Sequence, residues 1–229
     1  MKKSLFAAFL ALSIPSAAEE ASTLQQALDS FATKQIESKE IAGVIAGVGD
    51  KEGVLATATA GFANVGTGEK LTPEHMFWIA SMSKPVCGTA MMMAVEKGLV
   101  SISDHVSKYL PEFKDLMGAD GKPATITIEN CLSHTSGLQD LNNKENAATT
   151  TLAELTALVS QKPLKFEPGS KWAYCQTGIS TAARIIEVVS GKSYPDYLRE
   201  NLFEPLGMKD TTFNLTEAQV KRLAVSYAT

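Results

Sequence analysis

A chain of 229 residues, 45% hydrophobic and 20% charged, has the composition of ordinary globular protein and is long enough to bury a sizeable core. Its formal net charge of -4 argues against nucleic acid, whose protein partners usually present a basic face. Three cysteines, Cys87, Cys131 and Cys175, fit neither a C-x-x-C pair nor a zinc cluster and read as buried apolar thiols, at least one of them without an internal partner.

The N-terminus has the order of an export signal. Lys2 and Lys3 form a basic region, Leu5 to Ile14 an apolar stretch, and Ser16-Ala17-Ala18 offers small residues to a signal peptidase. The apolar run falls far short of the roughly 20 residues that span a bilayer. Residues 1–18 are therefore expected to be a signal peptide, with a periplasmic or secreted destination and no stable membrane anchor after cleavage. Cleavage would remove two lysines and no acid, taking the charge from -4 to -6.

Thr23 to Glu40 places Leu24, Leu28, Phe31 and Ile36 at near-helical spacing and predicts an amphipathic helix. Ala42–Val48 and Val54–Phe62 are strand-like runs around Gly49-Asp50-Lys51-Glu52-Gly53, which predicts a hairpin. Met82 to Lys97 predicts a helix with Pro85 in its first turn and Gly98 just past its end. The body of that helix is apolar on nearly every side, so it is expected to be central and buried. Further helices are expected from Thr151 with a Thr151/Glu154 capping box, over Ile179–Ser190 closed by Gly191, over Tyr194–Phe203, and from Glu217. Strands first and helices after, with no internal repeat, indicate an α+β fold whose sheet begins near the N-terminus.

The chemistry centres on Ser81-Met82-Ser83-Lys84. A serine hydroxyl needs a base to take its proton at neutral pH. Side chains three apart on a helical turn are neighbours, so Lys84 can reach Ser81. Desolvation favours the neutral amine such a base requires, and the apolar helix behind it offers that environment. A helix start at Ser81 also directs backbone N–H groups toward a developing oxyanion. A second element is Tyr174-Cys175-Gln176: a tyrosine beside a cation can relay protons, and the Gln176 amide can meet a substrate carbonyl.

Other chemistries fit less well. Gly178-Ile179-Ser180-Thr181-Ala182 nearly matches a nucleophile elbow but ends in alanine. Gly61 to Gly66 has P-loop spacing, yet Thr67 stands where the lysine belongs. His75, His105 and His134 lack metal-ligand spacing, and His134 is a candidate for holding its own loop. No cofactor and no metal are expected.

Five segments in order resemble the beta-lactamase-related serine hydrolases, the group of class C beta-lactamases, D-alanyl-D-alanine carboxypeptidases and related esterases. They are Phe77–Lys84, Leu99–Phe113, Ile126-Thr127-Ile128 with Leu132-Ser133-His134-Thr135-Ser136-Gly137-Leu138, Phe166–Gln176, and Glu204–Phe213. The resemblance implies a beta-lactamase/transpeptidase-like fold, an antiparallel sheet flanked by helices plus a helical region. It implies Ser81 as nucleophile, Lys84 as base, Tyr174 as proton relay and Gln176 as a substrate contact. The expected substrate is a small-molecule or peptidoglycan-derived acyl donor: an ester, a beta-lactam or a D-amino-acid peptide. A catalytically silent exported binding relative is the alternative. Gln176 replaces the asparagine usual in penicillin-recognising members. The family's third motif, Lys-Thr-Gly or similar on a strand, is not found after Tyr174, so residues 19–229 are expected to be a partial domain with an incomplete sheet, poorly soluble and of low turnover by itself.

Overall fold

A computed structural model describes residues 17–227; most of the expected signal segment, residues 1–16, lies outside the described residues. The described residues gather into two compact units, 17–78 with 215–227, and Ile79–Asn214. Among the described residues no helix is long and apolar enough to cross a membrane.

In the first unit, α1 (Ala17–Glu37) packs on a three-stranded antiparallel sheet of order β1-β2-β3: β1 (Gly43–Asp50), β2 (Gly53–Asn64) and the short β3 (Glu69–Lys70). The inward stripe of α1 is Leu24, Leu28, Ala32 and Ile36, at a spacing of four. Phe31, expected on that stripe, is 48% exposed, because one residue off a four-residue repeat turns a side chain about 100° from the buried face. The strands run further than expected, leaving only Lys51 and Glu52 between them. Asp50 closes this turn, its Oδ1 accepting the N–H groups of Glu52 at 2.7 Å and Gly53 at 3.2 Å. Gly61 sits inside β2 at φ +87°, where a Cβ would lie 2.3 Å from the Ala42 carbonyl oxygen. That close approach requires a glycine and removes the P-loop reading of residues 61–66. Chain residues after α8 (Glu217–Val220) return beside Met76 and Ala63, with Ala224 N–H bonding the Met76 carbonyl at 2.8 Å and Val225 N–H that of Ala63 at 2.9 Å.

The second unit is helical: α2 (Ser83–Glu96), α3 (Ile128–Leu132), α4 (Asn143–Ala148), α5 (Leu152–Val159), α6 (Gln176–Ser190) and α7 (Tyr194–Leu198). Helix α6 is its axis, burying Ile179, Ala182, Ala183, Ile185 and Ile186 against α2, α3, α5 and α7. Gly178 lets α6 meet α3 closely, since a Cβ there would come 2.9 Å from the Cys131 carbonyl oxygen. Capping boxes start α3 at Thr127, α4 at Asn142 and α5 at Thr151, the last as expected. Helix α2 departs from its expectation. Cys87, Ala90, Met91 and Ala94 form one buried stripe, while Met92 is exposed, so the helix is sided rather than wholly enclosed. Cys87, Cys131 and Cys175 are buried free thiols. Burial pushes the Cys87 thiol up to about 11, which keeps it protonated and inert at neutral pH.

Candidate active site

The site is built within the second unit from the entry to α2 and the segment leading into α6. Ser81 occupies a single 3-10 turn, Ala80–Met82, and α2 begins two residues later at Ser83. Ala80 just before it is held at φ +45°, a left-handed conformation that a side chain with a Cβ adopts at a cost of about 1–2 kcal/mol. Strain of this kind persists where the surroundings over-determine it, commonly at functional sites. The turn brings residue i+3 back over residue i, and Lys84 Nζ donates to Ser81 Oγ at 3.0 Å.

Tyr174 reaches the same oxygen from 93 residues further on, its hydroxyl donating to Ser81 Oγ at 2.6 Å. Lys84 Nζ also lies 4.7 Å from the centre of the Tyr174 ring. Hydrogen bonding to Lys84, and then to Ser81, holds the Tyr174 phenol below the ordinary tyrosine range. One hydroxyl thus carries two groups that can exchange protons with it. Tyr174 is 51% exposed and Lys84 half-buried, so both remain open to an incoming molecule.

These three residues face a cleft of about 690 Å³. Its walls are mostly apolar, with Ile79, Met82, Pro85, Leu132 and Ile179 around the hydroxyl and His134 beside Tyr174. Gly88, one turn beyond Lys84 on the same face of α2, lines the cleft with no side chain, and a Cβ there would meet nothing within 4 Å. That glycine, unremarked in the sequence, leaves the cleft its room.

The structure brings Ser81, Lys84 and Tyr174 together and leaves Gln176 outside the cleft lining. Gln176 is the first residue of α6, exposed and not among the residues lining the cleft; its backbone N–H bonds Asp140 Oδ1 at 2.7 Å. Asp140 also accepts from Thr177 N–H at 2.9 Å, supplying the N-terminal cap that Cys175 does not. This distant cap starts α6 three residues before the expected Ile179. It also puts Ser180 inside the helix, 9% exposed, which removes the nucleophile-elbow reading.

The loop 133–140 lies alongside the segment 163–177 and fastens it. Gly137 O accepts Lys165 N–H at 2.7 Å, Thr135 O accepts Gly169 N–H at 2.9 Å, and His134 O accepts Ala173 N–H at 2.9 Å. Gly137 makes the approach possible at φ +75°, where a Cβ would stand 2.4 Å from the Phe166 carbonyl oxygen.

The family model described as beta-lactamase matches residues 26–229. The chain is 29% identical over 206 residues to protein Flp of Staphylococcus aureus, covering 89% of this chain and 41% of Flp. It is 26% identical over 222 residues to esterase EstB of Burkholderia gladioli, covering 91% of this chain and 56% of EstB. Among solved structures it is similar to EstCE1, described as a hydrolase with promiscuous acyltransferase activity, at a TM-score of 0.78 and 27% identity over 91% of this chain and 57% of that one. It is also similar to the octameric penicillin-binding protein homologue from Pyrococcus abyssi, at a TM-score of 0.72 and 26% identity over 89% of this chain and 48% of that one. The chain therefore spans between two fifths and three fifths of the length of these relatives.

Proposed function

The chain belongs to the beta-lactamase family, and from that membership we propose that it forms an acyl-enzyme on Ser81, with esters as its preferred acyl donors. The observation that carries the reading is the pair of contacts on Ser81 Oγ, Lys84 Nζ at 3.0 Å and the Tyr174 hydroxyl at 2.6 Å. In the first half-reaction Ser81 Oγ bonds to the acyl carbon while its proton passes to the Lys84–Tyr174 pair. The ester C–O bond then breaks, and the leaving alkoxide takes a proton from Tyr174. In the second half-reaction water attacks the acyl carbon, gives its proton to the same pair, and Ser81 leaves protonated. The Ser81 backbone N–H supplies one donor to the oxyanion.

The apolar walls of the cleft and the similarity to esterase EstB favour an ester over a beta-lactam or a peptide. Gln176, exposed at the start of α6, remains a candidate contact for the part of a substrate that extends out of the cleft. Residues 1–18 support export to the periplasm or medium, and the mature chain should begin at Glu19. The substrate reading is tested by the acylation rate, whatever the absolute turnover. A short-chain aryl ester should acylate the chain at least ~10-fold faster than a chromogenic cephalosporin. Equal rates, or a preference for the cephalosporin, would replace esters with beta-lactams as the substrate class.

A further inference from the structure

His134 touches four consecutive residues of the segment that carries Tyr174. Its carbonyl oxygen accepts Ala173 N–H at 2.9 Å, and its Nδ1 accepts Cys175 N–H at 3.2 Å. Its ring lies 4.8 Å from the Tyr174 ring at 32°, and 6.0 Å from Trp172 edge-on. The two backbone bonds flank Tyr174, one on each side, so the phenol is set from both directions. Cys175 is the N-cap of α6, where its N–H has no place in the helical ladder, and the imidazole satisfies it. Acceptance at Nδ1 requires the ring proton on Nε2. His134 makes both contacts from φ +61°, a left-handed conformation in which His, Asn and Asp are enriched among residues other than glycine.

We propose that His134 is a positioning residue for Tyr174: its ring face and the Nδ1 bond to Cys175 hold the phenol at hydrogen-bonding distance from Ser81, so that losing the side chain slows acylation while leaving substrate binding intact. The inference rests on Tyr174 acting as proton relay to Ser81. The backbone bond to Ala173 survives any substitution, so the side chain's share is the ring contact and the Cys175 bond. The motion at stake is small, yet a misplacement of about 1 Å can cost ~10²-fold in rate.

The test is a cycle of His134 and Tyr174 variants in the full chain, read by the rate of Ser81 labelling with a fluorophosphonate and by the dissociation constant of an aryl ester, taken from the concentration dependence of its acylation burst. His134→Ala should slow labelling by at least ~10-fold with that dissociation constant changed by less than ~3-fold, as expected when only a transition-state interaction is lost. His134→Asn, which tolerates the left-handed backbone and returns an acceptor near the place of Nδ1, should recover most of that loss. In a Tyr174→Phe background the His134→Ala change should cost less than ~2-fold, because the group it positions is gone. A penalty equal in both backgrounds overturns the proposal. So does a lowered melting temperature with unchanged labelling per folded molecule. If His134→Ala does not fold, His134→Phe, which keeps a ring and lacks the acceptor, takes its place in the cycle under the same two criteria. A chain with native His134 that is never labelled at Ser81 overturns the underlying relay reading, and this inference with it, which sets that result apart from a failure of the His134 variants alone.

Discussion

Replacing Lys84 separates its two contributions, a base for Ser81 and a cation beside Tyr174. Its Nζ stands 3.0 Å from Ser81 Oγ and 4.7 Å from the Tyr174 ring centre, near enough for both. Lys84→Arg keeps the charge but presents a guanidinium that does not give up its proton in this pH range. Lys84→Met removes charge and base together at similar length. General acid–base catalysis contributes about 10²–10⁴-fold, so both variants should acylate slower by that factor. They should differ in the titration of Tyr174. The phenol is held low first by its hydrogen bond to Lys84, so it should move toward the ordinary value of about 10 in Lys84→Met. A phenol lowered in the folded state binds fewer protons there than in the unfolded chain, so its contribution to stability grows as pH rises toward the ordinary tyrosine value and is lost as pH falls through the lowered one. Over that alkaline window the native chain should gain stability relative to Lys84→Met. The assay is the pre-steady-state burst of chromophore from an aryl ester, followed from neutral to alkaline pH. Arginine retaining acylation within ~3-fold of lysine would refute the assignment of Lys84 as base.

Two glycines give independent tests. Gly88→Ala places a methyl in open space in the interior of α2 and should stabilise the chain by up to about 1 kcal/mol in a denaturant melt, whereas Gly88→Phe should raise KM increasingly with the size of the acyl group. No gain from alanine would show that the cleft wall is closed at that point. Gly137→Ala forces a Cβ to within 2.4 Å of the Phe166 carbonyl oxygen at a positive φ, and should cost more than the ~1–2 kcal/mol of the backbone conformation alone while slowing acylation, because its loop carries His134. A wild-type melting temperature would mean that the loop is held elsewhere.

The parts of the site that were legible in the sequence are those set by local geometry or by a long motif. Ser81 and Lys84 meet because three residues make one turn, which spacing alone predicts. Tyr174 is readable as a relay candidate from its residue type, and only the resemblance to a family segment ties it to Ser81, since nothing local says that it returns to a serine 93 residues earlier. The partners of His134 and Asp140 are hidden for the same reason. His134 bonds a backbone N–H 41 residues away, and Asp140 caps a helix 36 residues away, so α6 starts where a distant loop supplies its acceptor. The hairpin is readable from its turn residues and strand runs, and its strands extend past those runs because Asp50 tightens the turn by bonding Glu52 and Gly53. Phe31 shows the limit of periodicity: a large apolar side chain invites assignment to the core, but the buried stripe of α1 passes through Ala32.

The most direct test of the account is the site of covalent capture. The full chain should take up one fluorophosphonate per molecule, located by peptide mass spectrometry on Ser81. Ser81→Ala should abolish the adduct, and Ser83→Ala, on the neighbouring residue that opens α2, should leave it in place. An adduct on Ser83 or Ser180, or none on a folded chain, would contradict the assignment of Ser81 as nucleophile.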